Sequence, residues 1–238
     1  MALPAPATPT YELKVPSSGK TIKFRPFLVK EEKVLLLAEQ SEDENQIRDA
    51  IKDVIKNCII TRIKIDDLTY FDLEYIFINL RARSAEEDVD LVITCKDDNT
   101  TQVNYKLNLL EVEVEQNEKS SNKIMLDDEM GIVLKYPGMD EFIKFAMMGN
   151  NLPDAEVVEY VATKVDQIFQ GEEVWDCEDL KKQEIIDWIE KLTQKQFVKI
   201  GEFFENLPVL RHTFTLKNPK TGVESEYTLE GLQSFFAS

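Results

Sequence analysis

The sequence predicts an α+β fold, mainly helical, with several short antiparallel β-hairpins and a helix-then-hairpin unit that occurs twice. Three observations carry this. An apolar-striped segment from Thr69 to Ser84 has helical spacing and runs directly into alternating residues, Leu91, Ile93 and Cys95, then Val103, Tyr105 and Leu109. The same order returns near the C-terminus, where Thr193 to Leu207 precedes His212, Phe214 and Leu216, then Val223, Tyr227 and Leu229. Both hairpins turn at polar clusters, Lys96 to Thr101 and Lys217 to Gly222. A lone hairpin is marginal in water, so each helix is expected to cover the apolar face of its hairpin. That expectation puts Leu91, Ile93 and Tyr105 inward and Asp90 and Asn104 outward.

The elements follow in order. Tyr11 to Val15 and Thr21 to Phe27 alternate around Pro16-Ser-Ser-Gly19 and read as a hairpin, with Pro26 ending the second strand. Lys30 to Gln40 is helical. Ser41 and Glu44 fit a capping box for a helix from about Glu42 to Thr61, striped by Ile47, Ala50, Ile51, Val54, Ile55, Cys58 and Ile59. Asp66, Asp67 and Thr69 offer cap oxygens to the next helix, and Arg81 and Arg83 suit the negative end of its dipole. Lys123 to Leu126 and Met130 to Tyr136 read as strands before the Pro137-Gly138 turn. Helices are expected over Asp140 to Met148, Pro153 to Phe169 and Glu178 to Leu192, the last capped by Asp176. Thr193 and Gln196 make a capping box for the helix reaching Asn206, and Leu229 to Phe236 supplies a last helical turn. The organisation expected is an extended N-terminal arm at 1–10 containing Pro4, Pro6 and Pro9, an α+β module at 11–115, a linker with short strands at 116–136, and a helical module at 137–238 ending in a hairpin and short helix.

Charge and composition narrow the function. The chain has 238 residues, 43% of them apolar, with 28 basic against 45 acidic side chains and a formal net charge of −17. Such a field repels phosphate backbones and anionic headgroups, which disfavours nucleic acid and membrane as partners. No apolar run approaches the roughly 18 residues that span a bilayer, and the N-terminus lacks the charged and apolar regions of a signal peptide, so a cytosolic chain is expected. Cys58, Cys95 and Cys177 are far apart, and two lie in apolar-periodic segments, as reduced buried thiols do.

Chemistry has little to work with. The single histidine, His212, sits on an alternating strand with no cysteine near it in sequence, so a packed imidazole is expected over a nucleophile's partner. The cysteines lack Cys-x-x-Cys spacing, which removes a structural zinc site. Asp66-Asp67, Asp97-Asp98 and Asp127-Asp128-Glu129 lack the alternating ligands of a calcium loop and read as caps or solvated groups. Gly19-Lys20-Thr21 has neither the upstream glycine nor the following helix of a phosphate-binding loop. No catalytic, cofactor-binding or metal-binding residue is therefore assigned.

Aromatic residues exceed one helical face at two places, Tyr70-Phe71 with Tyr75 to Ile78, and Phe203-Phe204 with Phe235-Phe236. They are either a two-layer core or the anchors of a subunit interface. The partner-interface candidates are Tyr70, Phe71, Arg81, Arg83, Phe203, Phe204, Phe235 and Phe236, with the four phenylalanines expected to cluster where the last turn meets the helix from Thr193.

Pro9-Thr-Tyr-Glu-Leu13 with Pro16-Ser-Ser-Gly-Lys20, Phe24-Arg-Pro-Phe-Leu-Val-Lys-Glu-Glu-Lys33, the core Glu74-Tyr-Ile-Phe-Ile-Asn-Leu-Arg-Ala-Arg-Ser84 and the ending Leu229-Glu-Gly-Leu-Gln-Ser-Phe-Phe236 resemble the baseplate hub subunit or hub-assembly family of T4-like contractile-tailed bacteriophages. The resemblance covers most of the chain, although 111–128 matches no motif. It implies a noncatalytic role in the assembly or structure of the baseplate central hub. It also implies other hub or tail proteins as partners, with self-association as a further option, and a place in the host cytoplasm during assembly or in the virion tail. The alternative from another class is a cytosolic metal-dependent or hydrolytic module without a recognisable motif.

Overall fold

The computed structural model describes residues 7–148 and 154–235. Pro4, Pro6, Pro153 and Phe236 lie outside them. In chain order the elements are β1 (Tyr11–Lys14), β2 (Thr21–Phe24), α1 (Val29–Gln40), α2 (Glu44–Cys58), α3 (Tyr70–Ser84), β3 (Asp88–Thr94), β4 (Gln102–Asn108), β5 (Glu113–Glu115), β6 (Lys123–Met125), β7 (Met130–Leu134), α4 (Met139–Met148), α5 (Asp154–Lys164), β8 (Val165–Gln170), β9 (Glu173–Asp176), α6 (Lys182–Ile189), α7 (Gln194–Glu205), β10 (Val209–Lys217) and β11 (Glu224–Glu230), followed by a 3-10 turn at Leu232–Phe235. All strand pairs are antiparallel, and the fold is α+β.

The chain divides into two units, the first made of the described residues up to Glu115 together with those from Val209 onward, the second of Gln116–Pro208. This differs from the organisation expected above. The segment 116–136 is no linker, because β6 and β7 join β8 and β9 in one sheet ordered β6-β7-β8-β9. The final hairpin belongs to the first unit, because β10 pairs with β5 and packs on α3. The order helix-then-hairpin does occur twice, but in the second copy α7 lies in one unit and β10–β11 in the other. Sequence spacing showed the order and was blind to the partners.

In the first unit α3 is the central element. Tyr70, Phe71, Leu73, Ile76, Phe77, Ile78, Leu80 and Ala82 are all buried, so the helix is enclosed on nearly every side, as residues exceeding one helical face require of a core helix. Its N-terminus carries a capping box in which Asp72 accepts from the Thr69 amide at 3.1 Å and the Asp72 amide donates to Thr69 Oγ1 at 3.2 Å. The same carboxylate, fully buried, also accepts from the Ser17 amide at 2.9 Å and the Ser17 hydroxyl at 2.5 Å, which ties the β1–β2 turn to the helix. Gly19 in that turn has φ +66°, a left-handed conformation that glycine adopts without a Cβ penalty. The cap of α2 is Asp43, which accepts from the Asn45 amide at 2.9 Å, and not the expected Ser41–Glu44 pair. Ser41 instead donates back to the Ala38 carbonyl and closes α1. In the β3–β4 hairpin Leu91 is buried and Ile93 and Tyr105 are half-buried while Asp90 and Asn104 face water, the register expected from alternation.

The second unit surrounds an apolar cluster of Leu126, Ile132, Leu134, Val161, Ala162, Val165, Ile168, Cys177, Ile185, Ile189, Ile200 and Phe203. The helix expected over Pro153 to Phe169 stops at Lys164, and Val165–Gln170 is strand β8, central in the sheet between β7 and β9. Val161, Val165 and Ile168 satisfy helical spacing, yet Val165, Ile168 and Phe169 also suit a pleated surface, and two flanking strands decide the matter. Similarly Asp176 ends β9 and the next helix, α6, starts at Lys182, where Glu184 accepts from the Lys181 amide at 2.9 Å. The Thr193–Gln196 capping box of α7 forms as expected.

Candidate functional site

Two hairpins of the first unit, β3–β4 and β10–β11, are fastened to each other. Tyr105 of β4 stacks on Phe214 of β10 with ring centroids 3.8 Å apart and planes 5° from parallel, and its hydroxyl meets His212 Nε2 at 2.9 Å. Phe214 in turn lies beside Tyr227. At the tips, Asp97 accepts from Asn218 Nδ2 at 2.9 and 3.0 Å and from Thr221 Oγ1 at 2.5 Å, while the Lys96 amide donates to the Tyr227 hydroxyl at 2.8 Å. The lone histidine is thus one rung of an aromatic ladder. Beside it lies an open cleft of about 310 Å³ lined by Glu111, Glu113, Glu115, Arg211, His212 and Thr213. Arg211 there is occupied on both sides, by Glu115 at 2.8 Å and Glu230 at 2.6 Å.

The other polar clusters are likewise committed to structure. The Thr101 hydroxyl and the amides of Thr101 and Thr100 hold Asp98 far below the usual carboxylate range. Thr221 and Asn218 lower Asp97. The amides of Met130 and Glu129 lower Asp127. These carboxylates close turns. Among the described residues no group of three His, Cys, Asp or Glu is placed to hold a metal ion. Cys58, Cys95 and Cys177 are free and buried, and burial raises all three thiols, Cys58 to about 11, away from thiolate chemistry.

Two ionisable groups carry more tension. Glu31 is buried against Arg25 at 3.0 Å and accepts from the Leu28 amide at 2.8 Å. Burial opposes its charge, but these donors more than offset that and keep its carboxyl below the ordinary value. Among the described residues Glu74 has no such cation. One oxygen accepts from the Leu232 amide at 3.2 Å, the other is buried without a hydrogen-bond partner, and burial pushes the carboxyl up to about 7.

The sequence-derived candidates fall in several places. Tyr70 and Phe71 are buried in the first unit, ring edge to ring face at 5.4 Å. Phe235 is fully buried in that unit, whereas Phe203 is buried in the second, 5.0 Å from the half-buried Phe204. The phenylalanines therefore serve two separate cores in place of the single expected cluster, and Phe236 lies outside the described residues. Arg81 and Arg83 are half-buried. The Arg83 guanidinium pairs with Glu87 and lies 5.1 Å from the Tyr11 ring centroid, and burial lowers that of Arg81.

Two exposed apolar surfaces escaped the sequence reading. In α1 only Glu31 and Ala38 are buried, and Val29, Val34, Leu36 and Leu37 face water, Leu37 at 68% exposure. The signal was present: four consecutive apolar residues, Val34 to Leu37, sweep roughly 300° around a helix and cannot all face one core. In the second unit both tryptophans of the chain, Trp175 and Trp188, line an open cleft of about 230 Å³ with Met130, Ile168, Leu180 and Glu184.

A family model described as T4 bacteriophage base plate protein matches residues 8–237. No curated protein and no solved structure matches the chain. Among the described residues no helix is long and apolar enough to cross a membrane. A match over nearly the whole length, on a chain whose polar clusters build turns and latches, means that the protein belongs to the T4 bacteriophage base plate protein family.

Proposed function

We propose that the chain is a noncatalytic tail protein that acts in the assembly or structure of the baseplate central hub. The observation that carries this reading is the fate of the reactive side chains. His212 bonds Tyr105 within an aromatic ladder, Asp97, Asp98 and Asp127 close turns or join hairpin tips, and the cysteines are buried with raised thiols. Groups fixed in this way by several partners hold elements in register and are poorly placed to exchange protons or ligands with a substrate. The hub itself is suggested by the resemblance of the Glu74 to Ser84 core and of the C-terminal ending to hub and hub-assembly proteins. Partners of this kind are other baseplate hub or tail proteins, met in the host cytoplasm during assembly.

The test is assembly in the absence of the chain. Tails produced without it should lack a complete central hub while their other components are still synthesised, and supplying the protein in an extract should restore assembly. The triple variant Asp97→Asn, Asp98→Asn, His212→Gln should restore it too if the fold survives. Normal hubs without the chain would overturn the reading. A folded triple variant that fails where the parent succeeds would point to chemistry at these groups.

A further inference from the structure

We propose that β9 is a docking edge, on which an extended basic segment of another tail protein adds as a fifth strand and inserts one apolar side chain between Trp175 and Trp188. The assignment rests on the noncatalytic reading only in taking the partner to be a tail protein. β9 is the outermost strand of the β6-β7-β8-β9 sheet, and no described strand pairs with its far side. All four of its residues are exposed. An edge strand presents unsatisfied backbone donors and acceptors, and adding a strand to such an edge is a recurring way of capturing an extended peptide.

The side chains specify what fits. Trp175 lies opposite Ile168 in the register, on the face where the cleft opens towards Trp188 and Glu184 of α6. A cleft of about 230 Å³ with two indoles on its walls suits one aliphatic or aromatic side chain of the added strand. The surroundings are acidic: Glu172, Glu173, Asp176, Glu178 and Asp179 crowd the strand and the turns on either side of it. Lys135 answers Glu178 at 3.0 Å and Gln167 answers Asp176 at 2.6 Å, but among the described residues no cation pairs with Glu172, Glu173 or Asp179. This charge also argues against a second copy as the occupant. Two β9 strands paired antiparallel about their centre would set Glu173 directly against Asp176 twice, and like charges facing each other across strands are unfavourable. A strand with lysine or arginine beside its apolar residue meets no such opposition and draws on the uncompensated carboxylates.

The chain's two tryptophans are both in this cleft, so its intrinsic fluorescence reports occupancy directly. The probe is a short synthetic peptide alternating lysine and valine around one central leucine. Titrated into the full chain, it should shift tryptophan emission saturably to shorter wavelength. A peptide with glutamate for lysine should leave the emission unchanged, as should one with proline at alternate positions, which cannot pair as a strand. Glu173→Lys, at an exposed position, should weaken binding of the lysine peptide several-fold. Glu172→Lys provides the same test if circular dichroism finds the first variant misfolded. Equal shifts with lysine and proline peptides, or undiminished affinity in a folded charge-reversed variant, would overturn the docking edge. So would sedimentation showing a dimer of the free chain that Trp175→Ala dissolves. If the peptide does not bind but tails still require the protein, the docking edge fails and the noncatalytic reading stands.

Discussion

The two units reach stability by different means. The first buries polar groups throughout, Glu31, Asp72, Glu74, Asn79 and Asn218 among them, and spends them on ties between residues distant in sequence, such as Ser17 with Asp72 and Asp97 with Asn218. The second is held by a nearly unbroken apolar cluster, with Ser120 and Lys164 its only buried polar residues among those described. Satisfied buried polar groups specify one arrangement but respond to protonation, whereas apolar burial is insensitive to pH and indifferent to direction. The first unit should therefore be precisely set and pH-responsive, and the second robust to pH and vulnerable to loss of volume.

The largest effect should follow Phe203→Ala. Removing a fully enclosed phenylalanine costs about 3–5 kcal/mol. Hydrogen exchange should accelerate across 116–208 while amides of α3 keep their protection. Equal acceleration in both units would mean that they unfold as one cooperative body.

Next in size is the pH dependence from Glu74. Its carboxyl stands near 7 in the folded chain against 4.5 ordinarily, so the folded state holds this proton more tightly than the unfolded state does. The resulting contribution is present in full below pH 4.5, declines as pH rises, and is gone once pH passes about 7; it amounts to roughly 3 kcal/mol. Glu74→Gln should flatten the fall in first-unit stability between these limits and leave the second unit's profile unchanged. A parent protein whose first unit gains stability over that interval would contradict the assignment, as would a variant with an unaltered profile.

Asp97→Ala should release the hairpin tips, seen as faster exchange at the Lys96 and Lys220 amides, with little change in the thermal midpoint because the Tyr105–Phe214 stack remains. Replacing Arg81 and Arg83 with glutamine should weaken capture of tail partners while the melting temperature stays nearly constant. A large drop in melting temperature with normal capture would assign them to the interior of the first unit.

What the sequence revealed was mostly local. The Thr193–Gln196 box, the Thr69 cap and the inward face of the β3–β4 hairpin depend on residues a few positions apart, and all formed as read. Failures came where a distant partner decided. Val165–Gln170 became a strand because β7 and β9 flank it, and Phe203 and Phe235, alike in sequence context, went to different cores. One failure was local: Ser41 lost the cap of α2 to Asp43 because its hydroxyl turned back to the Ala38 carbonyl three residues before it. The run Val34 to Leu37 did signal that α1 keeps an apolar side uncovered, whereas the Trp175–Trp188 cleft was hidden: apolar residues in a sequence announce burial, and only the fold reveals which of these had nothing against them.

A role in the hub is tested by quantitative mass spectrometry of baseplate intermediates and finished tails, with the ratio of this chain to the hub subunits followed through assembly. A fixed ratio in the hub-containing intermediates is predicted. Retention at that ratio in finished tails would mark a permanent part, and its disappearance there an assembly factor. A chain found in no intermediate at any stage would rule out the hub role.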